Sequence, residues 1–184
     1  MELLPITVQR TEIRFAGSGG QGLIKLGIIL AEAAMLDGKN VVQTQSYGAE
    51  ARGGASRSDV ILSDDQIDFP SVTSLDVLLA MNQESYDKYI GLLKPHGIVI
   101  FDSSNVKPAL IGGIYQYGAP FTKIALELGG KIYANIVALG YFVALTKLVS
   151  RENVLKVLRK RLPKDSISKN LEAFERGYRL GCTR

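Results

Sequence analysis

One stretch constrains the fold of this chain more than any other. Residues 12–38, EIRFAGSGGQGLIKLGIILAEAAMLDG, run from a strand-like segment through a glycine turn into a helix-length apolar segment. That order is a βα unit, and a helix apolar on most faces must pack against a sheet. Asp37-Gly38 ends the helix, with the glycine as its cap. Gly17, Gly19 and Gly22 fit G-x-G-x-x-G, the spacing of a dinucleotide-binding turn. Across Gly17–Gly22, with Gly20 inside it, backbone N–H groups are expected to point outward at a helix N-terminus. The helix dipole there favours an anion such as phosphate. Gln21 adds a side-chain amide. The same glycines also suit a tight turn with no ligand.

The rest of the chain continues the pattern. NVVQTQ reads as a second strand, SYGAEARGG as a polar glycine-rich loop and ASRSDVILS as a third strand. DVLLAMN is a fourth, with the apolar run of a strand buried on both faces. QESYDKYIGLL is a short helix, KPHG a turn and IVIFD a fifth strand. Short strands or loop are expected around GGIYQYG, then a helix over Phe121–Leu128. NIVALGYFVALTKLV, RENVLKVLRKRL and ISKNLEAFERGYRLG are three helical segments with no strand between them. The expected fold is α/β: a Rossmann-like, mostly parallel sheet flanked by helices, with a C-terminal helical layer. The 184 residues are expected to form a single domain, 1–184.

Composition excludes several function classes. With 46% hydrophobic and 22% charged residues, this is an ordinary globular chain. Its longest clean apolar run without charge, Ile132–Thr146, is 15 residues, short of the roughly 20 a membrane span needs. A buried helix is expected there. The start, MELLPITVQRTEIRF, has an early acid and no basic region or cleavage site, so no signal peptide is expected. A cytoplasmic location fits. The one cysteine, Cys182, cannot supply the thiolates of an iron–sulfur cluster or a zinc site and reads as inert. From Arg151 onward there are 10 Lys/Arg and 4 Asp/Glu, against 12 and 14 in the first 150 residues. This basic tail suits an acidic protein face or nucleic acid, or simply a solvated helical surface. The lone His96 lies in KPHG, away from the strand ends. No Ser-His-Asp, Cys-His or two-His-plus-acid set can be assembled. Asp102, at a strand end, reads as a cap or turn residue.

Ligands of parallel sheets bind beyond the carboxyl ends of the strands. Those ends are Gly17–Gly22, Ser46–Gly54, Asn82–Glu84 and Asp102–Asn105. A dinucleotide also wants an acid at the end of the second strand, where this chain has Gln45 and Ser46. A P-loop wants Lys and Ser/Thr where Leu23 and Ile24 stand. The phosphate-nest chemistry survives both failures. The loop Tyr47–Gly54 is the second candidate. Gly48, Gly53 and Gly54 surround Glu50 and Arg52, so the backbone can run against another surface. Arg52 can fork onto a phosphate, a carboxylate or Glu50, and Tyr47 offers a stacking face. Arg57 and Asp59 share one face of a strand and read as a neutral surface pair.

The motifs AGSGGQG, SYGAEARGGASRSDVILS, IDFPSV and DVLLAMNQESYDKY, in this order, resemble the gamma subunit of the 2-oxoacid:ferredoxin oxidoreductases. That subunit is also the third domain of single-chain pyruvate:ferredoxin oxidoreductase. NIVALGYF and KNLEAFERGY fit as well, so the resemblance covers nearly the whole chain. The wording GSGGQG with EARGGASRSDV is most similar to the 2-oxoglutarate branch. The resemblance implies a complex that decarboxylates a 2-oxoacid, makes an acyl-CoA and reduces ferredoxin. It implies thiamine diphosphate, magnesium and iron–sulfur clusters held by alpha, beta and delta partner subunits. This chain alone is then expected to be inactive, to bind no membrane or nucleic acid, and to self-associate if isolated. Gly17, Gly19, Gly20, Gln21 and Gly22, with Tyr47, Glu50, Arg52, Gly53 and Gly54, are expected to border cofactor, CoA or partner subunits. The competing expectations are a free-standing Rossmann-type nucleotide-binding protein and a basic nucleic-acid module.

Overall fold

In the computed structural model, which describes residues 10–47 and 55–183, six strands form one sheet. They are β1 (Arg10–Ser18), β2 (Asn40–Tyr47), β3 (Ala55–Ser63), β4 (Leu75–Ala80), β5 (Leu93–Asp102) and β6 (Tyr115–Ala119), in the order β2-β3-β1-β4-β5-β6. The α-helices are α1 (Leu23–Leu36), α2 (Gln83–Tyr89), α3 (Phe121–Glu127), α4 (Ala134–Thr146), α5 (Arg151–Arg161) and α6 (Lys164–Cys182).

β1, β4, β5 and β6 pair in parallel, as the alternation of strands and helices predicts. β3 is the exception, antiparallel to both β1 and β2. Only residues 48–54 separate β2 from β3. That length can close a hairpin, whereas a parallel return needs a crossover of about a dozen residues. β3 therefore inserts between β2 and β1.

The alternation along β1 sorts the core into two. Ile13 and Phe15 face a large cluster built with α1, α3, α4, α5 and α6. There the Phe15 and Phe142 rings meet edge to face, 5.4 Å apart. Ala16 faces a smaller cluster with Leu78, Val99 and the Tyr86 of α2. The uncharged run becomes α4, in which every residue except Leu145 is buried. Gly177 and Gly181 of α6 bring the backbones of α4 and α6 together: a Cβ on Gly177 would overlap the Val137 carbonyl oxygen. Among the described residues no helix is long and apolar enough to cross a membrane.

Three local expectations change. KPHG is a bulge inside β5, not a turn between elements. Leu93 pairs with Leu75 and Ile98 with Val77, so the intervening chain bows out opposite Asp76. His96 takes a positive φ of 63° there, and its N–H donates to Gly113 O at 2.7 Å. Arg57 and Asp59 are no surface pair. Asp59 lies opposite Arg14 in the β1–β3 register and is buried, with Arg14 forked onto it at 2.7 and 2.8 Å and Arg57 at 3.8 Å. Finally, α1 ends in a Schellman cap at Gly38, but its last apolar residues, Met35 and Leu36, stay exposed.

Candidate functional site

β1 hands the chain to α1 on one face of the sheet, and its neighbour β4 hands it to α2 on the other. Helices that leave adjacent strands in opposite directions open a crevice at the carboxyl edge, the switch point of an open α/β sheet. A cleft of about 500 Å³ occupies it. Gly20, Gln21, Gly22 and Lys25 form one side, Asn82, Asn105 and Thr122 another, and Lys131 and Asn135 close it.

The glycine turn is built by contacts that need missing side chains. Gln21 folds back so that its Oε1 accepts the Ser18 N–H at 2.7 Å. A Cβ on Gly17 would overlap that oxygen. Gly22 sits at φ 73° as the N-cap of α1 and supplies no side-chain cap. Asn135 Nδ2 donates to Gly22 O at 3.4 Å, while its Oδ1 accepts the Ile136 N–H at 2.8 Å. The first turn of α1 holds no acid, and Lys25 stands in it.

Buried and half-buried groups fix the opposite wall. Asp102 is fully buried. It accepts from Ser104 N at 3.0 Å, Asn105 Nδ2 at 2.9 Å, and both the N–H (3.1 Å) and hydroxyl of Thr122. Its carboxylate is spent on holding Asn105 and Thr122, in line with the capping role expected of it. Asn82 accepts Ser85 N–H at the start of α2 and donates to Ser18 Oγ at 2.7 Å, which ties β4 to β1.

The chemistry of the lining is specific. Two lysines, four amide side chains and a hydroxyl meet the uncapped start of a helix, with no carboxylate, histidine or cysteine among the described lining residues. Such a lining suits an anion and offers no acid–base pair to break bonds. An iron–sulfur cluster does not fit this chain: Cys182 stands alone and exposed at the end of α6. Among the described residues no three His, Cys, Asp or Glu come together to hold a metal.

Of the predicted site residues, Gly20, Gln21 and Gly22 line the cleft, Gly17 is the last but one residue of β1 and Gly19 lies in the exposed turn between them. Tyr47 ends β2, its backbone paired with Ser56, which in turn pairs with Gly17. Both ends of the second loop thus reach the same sheet edge, one and two strands from the turn. Glu50, Arg52, Gly53 and Gly54 lie outside the described residues. Interposed β3 also removes β2 from the side of β1, where a dinucleotide's ribose would meet it. Lys131 and Asn135 were not anticipated. They lie over 100 residues from the glycine turn and reach it only through the packing of α4, which leaves no local signal. Lys25 was not anticipated either, although a cation in a helix's first turn is a local signal that could have found it.

Residues 12–180 match the family model for pyruvate ferredoxin/flavodoxin oxidoreductase. The 2-oxoglutarate synthase subunit KorC of Methanocaldococcus jannaschii is 47% identical, over 93% of this chain and 94% of the relative. A solved keto/oxoacid ferredoxin oxidoreductase gamma subunit from Geobacter sulfurreducens PCA superposes with a TM-score of 0.86 at 45% identity, covering 95% of this chain and 97% of that one. The 2-oxoglutarate:ferredoxin oxidoreductase from Magnetococcus marinus, solved with 2-oxoglutarate, coenzyme A and succinyl-CoA bound, reaches 0.89 at 27% identity. It covers 97% of this chain and 32% of that chain. The chain therefore belongs to the pyruvate ferredoxin/flavodoxin oxidoreductase family, and within it to the gamma subunits of the 2-oxoacid:ferredoxin oxidoreductases.

Proposed function

We propose that this chain is the gamma subunit of a 2-oxoglutarate:ferredoxin oxidoreductase and that its glycine-turn cleft receives phosphate groups of CoA. The observation that carries the cleft's role is Lys25. A lysine in the first turn of α1 opposes the helix dipole, an unfavourable placement of about 0.3–1 kcal/mol. An anion seated between Lys25, Lys131 and the open N–H groups reverses that sign. The choice of 2-oxoacid rests on the relative that matches along nearly its whole length at 47% identity, a 2-oxoglutarate synthase subunit.

In this reading residues 1–184 act as one gamma-type domain in the cytoplasm. Thiamine diphosphate, magnesium and the iron–sulfur clusters sit on alpha, beta and delta subunits, which carry the decarboxylation and the electrons to ferredoxin. This chain's own residues position. Gly17, Gly19, Gly20, Gln21 and Gly22 shape the cradle. Lys25 and Lys131 neutralise phosphate. Tyr47, Glu50, Arg52, Gly53 and Gly54 border the same edge, with Arg52 a second phosphate ligand. The test is steady-state kinetics of the assembled complex. Lys25→Ala, Lys131→Ala and Arg52→Ala should each raise the KM for CoA about tenfold or more with kcat held, the worth of one charged hydrogen bond. An unchanged KM in all three would sink the cleft assignment.

A further inference from the structure

A second surface, away from the cleft, has no role in that function. At the C-terminal end of α1, Met35 is 64% and Leu36 57% exposed. With Val157 they line a groove of about 370 Å³ between α1 and α5, flanked by Glu32, Lys156 and Lys160. Elsewhere in α1 Leu23, Leu26, Ile29 and Leu30 are buried and Ile24 and Ile28 half-buried, so these two stand out as its exposed large apolar residues.

The charge around the groove is predominantly positive. Lys156, Arg159, Lys160 and Arg161 are all exposed on α5. Among the described residues Glu32 is the one carboxylate that answers them: it pairs with Arg161 and lies 4.0 Å from Lys160. Lys156 bonds the neutral Asn153 side chain, and among the described residues no ion pair forms at Arg159. Lys156 and Lys160 are also a like-charge i, i+4 pair, which destabilises a helix left to itself. An apolar floor and a basic rim that Glu32 only partly compensates are relieved together by one kind of occupant. It must bring an apolar stripe for Met35 and Leu36 and carboxylates at the spacing of Lys156 and Lys160.

We infer that this groove docks an acidic amphipathic helix of a partner subunit in the same complex. The inference rests on the reading of the chain as a subunit. Helix-in-groove recognition uses such stripes, and an exposed Met adapts to the side chains it receives. A nucleic acid would match the cations but would leave the apolar floor wet.

Carbodiimide coupling of the complex, purified through this chain, joins lysines to carboxylates in direct contact and is read by peptide mass spectrometry. The expected result links Lys156 and Lys160 to Asp or Glu of a single partner-subunit segment. Met35→Asp and the double variant K156E/K160E should each lower retention of partner subunits about tenfold, while the thermal midpoint of the variant chain stays within a few degrees. Links only within this chain or to a second copy of it would overturn the inference. So would partner retention at the wild-type level in both variants, or protection of the lysines by duplex DNA with Met35→Asp silent. A wild-type chain that retains no partner subunit would bring down the subunit reading as well. Wild-type retention matched by the variants would bring down the docking inference alone.

Discussion

Replacing Gly22 with alanine tests how the cleft is assembled. Gly22 holds φ 73° and ψ 23° at the start of α1. A side chain in this left-handed region costs about 1–2 kcal/mol. The new Cβ would also overlap Asn135 Nδ2, so Asn135 must swing away and give up its bond to Gly22 O. Its cap on Ile136 N–H is disturbed in the same movement. A lost hydrogen bond of this kind is worth about 1 kcal/mol. Together these give about 3 kcal/mol, or a fall in Tm of about 6–12 °C for a chain of this size. Gly20 supplies the control. It also has a positive φ, 86°, but a Cβ there meets nothing within 4 Å. Gly20→Ala therefore carries the backbone cost alone, about 1–2 kcal/mol. In an Asn135→Ala background, Gly22→Ala should fall to the same level, a coupling of about 1–2 kcal/mol. Urea unfolding followed by circular dichroism measures all four corners of the cycle. Equal costs for the two glycine replacements, or strict additivity with Asn135→Ala, would refute the packing of Asn135 on the turn.

Other parts of the fold make separate predictions. Gly177→Ala forces α6 off the Val137 carbonyl and should destabilise by about 2 kcal/mol or more, despite alanine's better helix propensity. Asp59→Ala leaves Arg14 buried against the Tyr89 ring, 4.6 Å away, and should cost about 3–5 kcal/mol in chemical denaturation. The double variant R14M/D59L should recover most of that loss. Burial pushes the Glu12 carboxyl up, but the Thr73 N–H, Arg10 and the Ser74 N–H outweigh it and hold the group below its ordinary range. Burial acts likewise on Asp37, where the Ser150 hydroxyl and N–H and the Asn153 amide win. A pKa depressed by folding stabilises above the unfolded value and is lost as pH falls through the folded one. Stability should therefore drop as pH falls below about 4, and Asp37→Asn should flatten that drop in urea titrations.

The βα unit, buried α4 and three closing helices were legible because their periods and caps are local. The reversed β3 was implied by the short 48–54 connection, yet the strand pattern alone does not give direction. The bulge at His96 was hidden because KPHG has turn composition wherever it falls. Half of the cleft was legible: the glycines, Gln21 and the strand ends at Asn82 and Asn105. Lys131 and Asn135 were not, since a residue brought by α4 leaves no mark near the turn it completes. The same limit applied to Asp59, whose partner Arg14 is set by register across strands.

The central claim is tested most directly by purifying the intact complex through this chain and following CoA-dependent dye reduction with a panel of 2-oxoacids. The account predicts turnover with 2-oxoglutarate that requires CoA, exceeds that with pyruvate, and disappears when this chain is omitted. Preference for another 2-oxoacid would contradict the substrate assignment. Full CoA-dependent turnover without this chain would contradict its role at the CoA site.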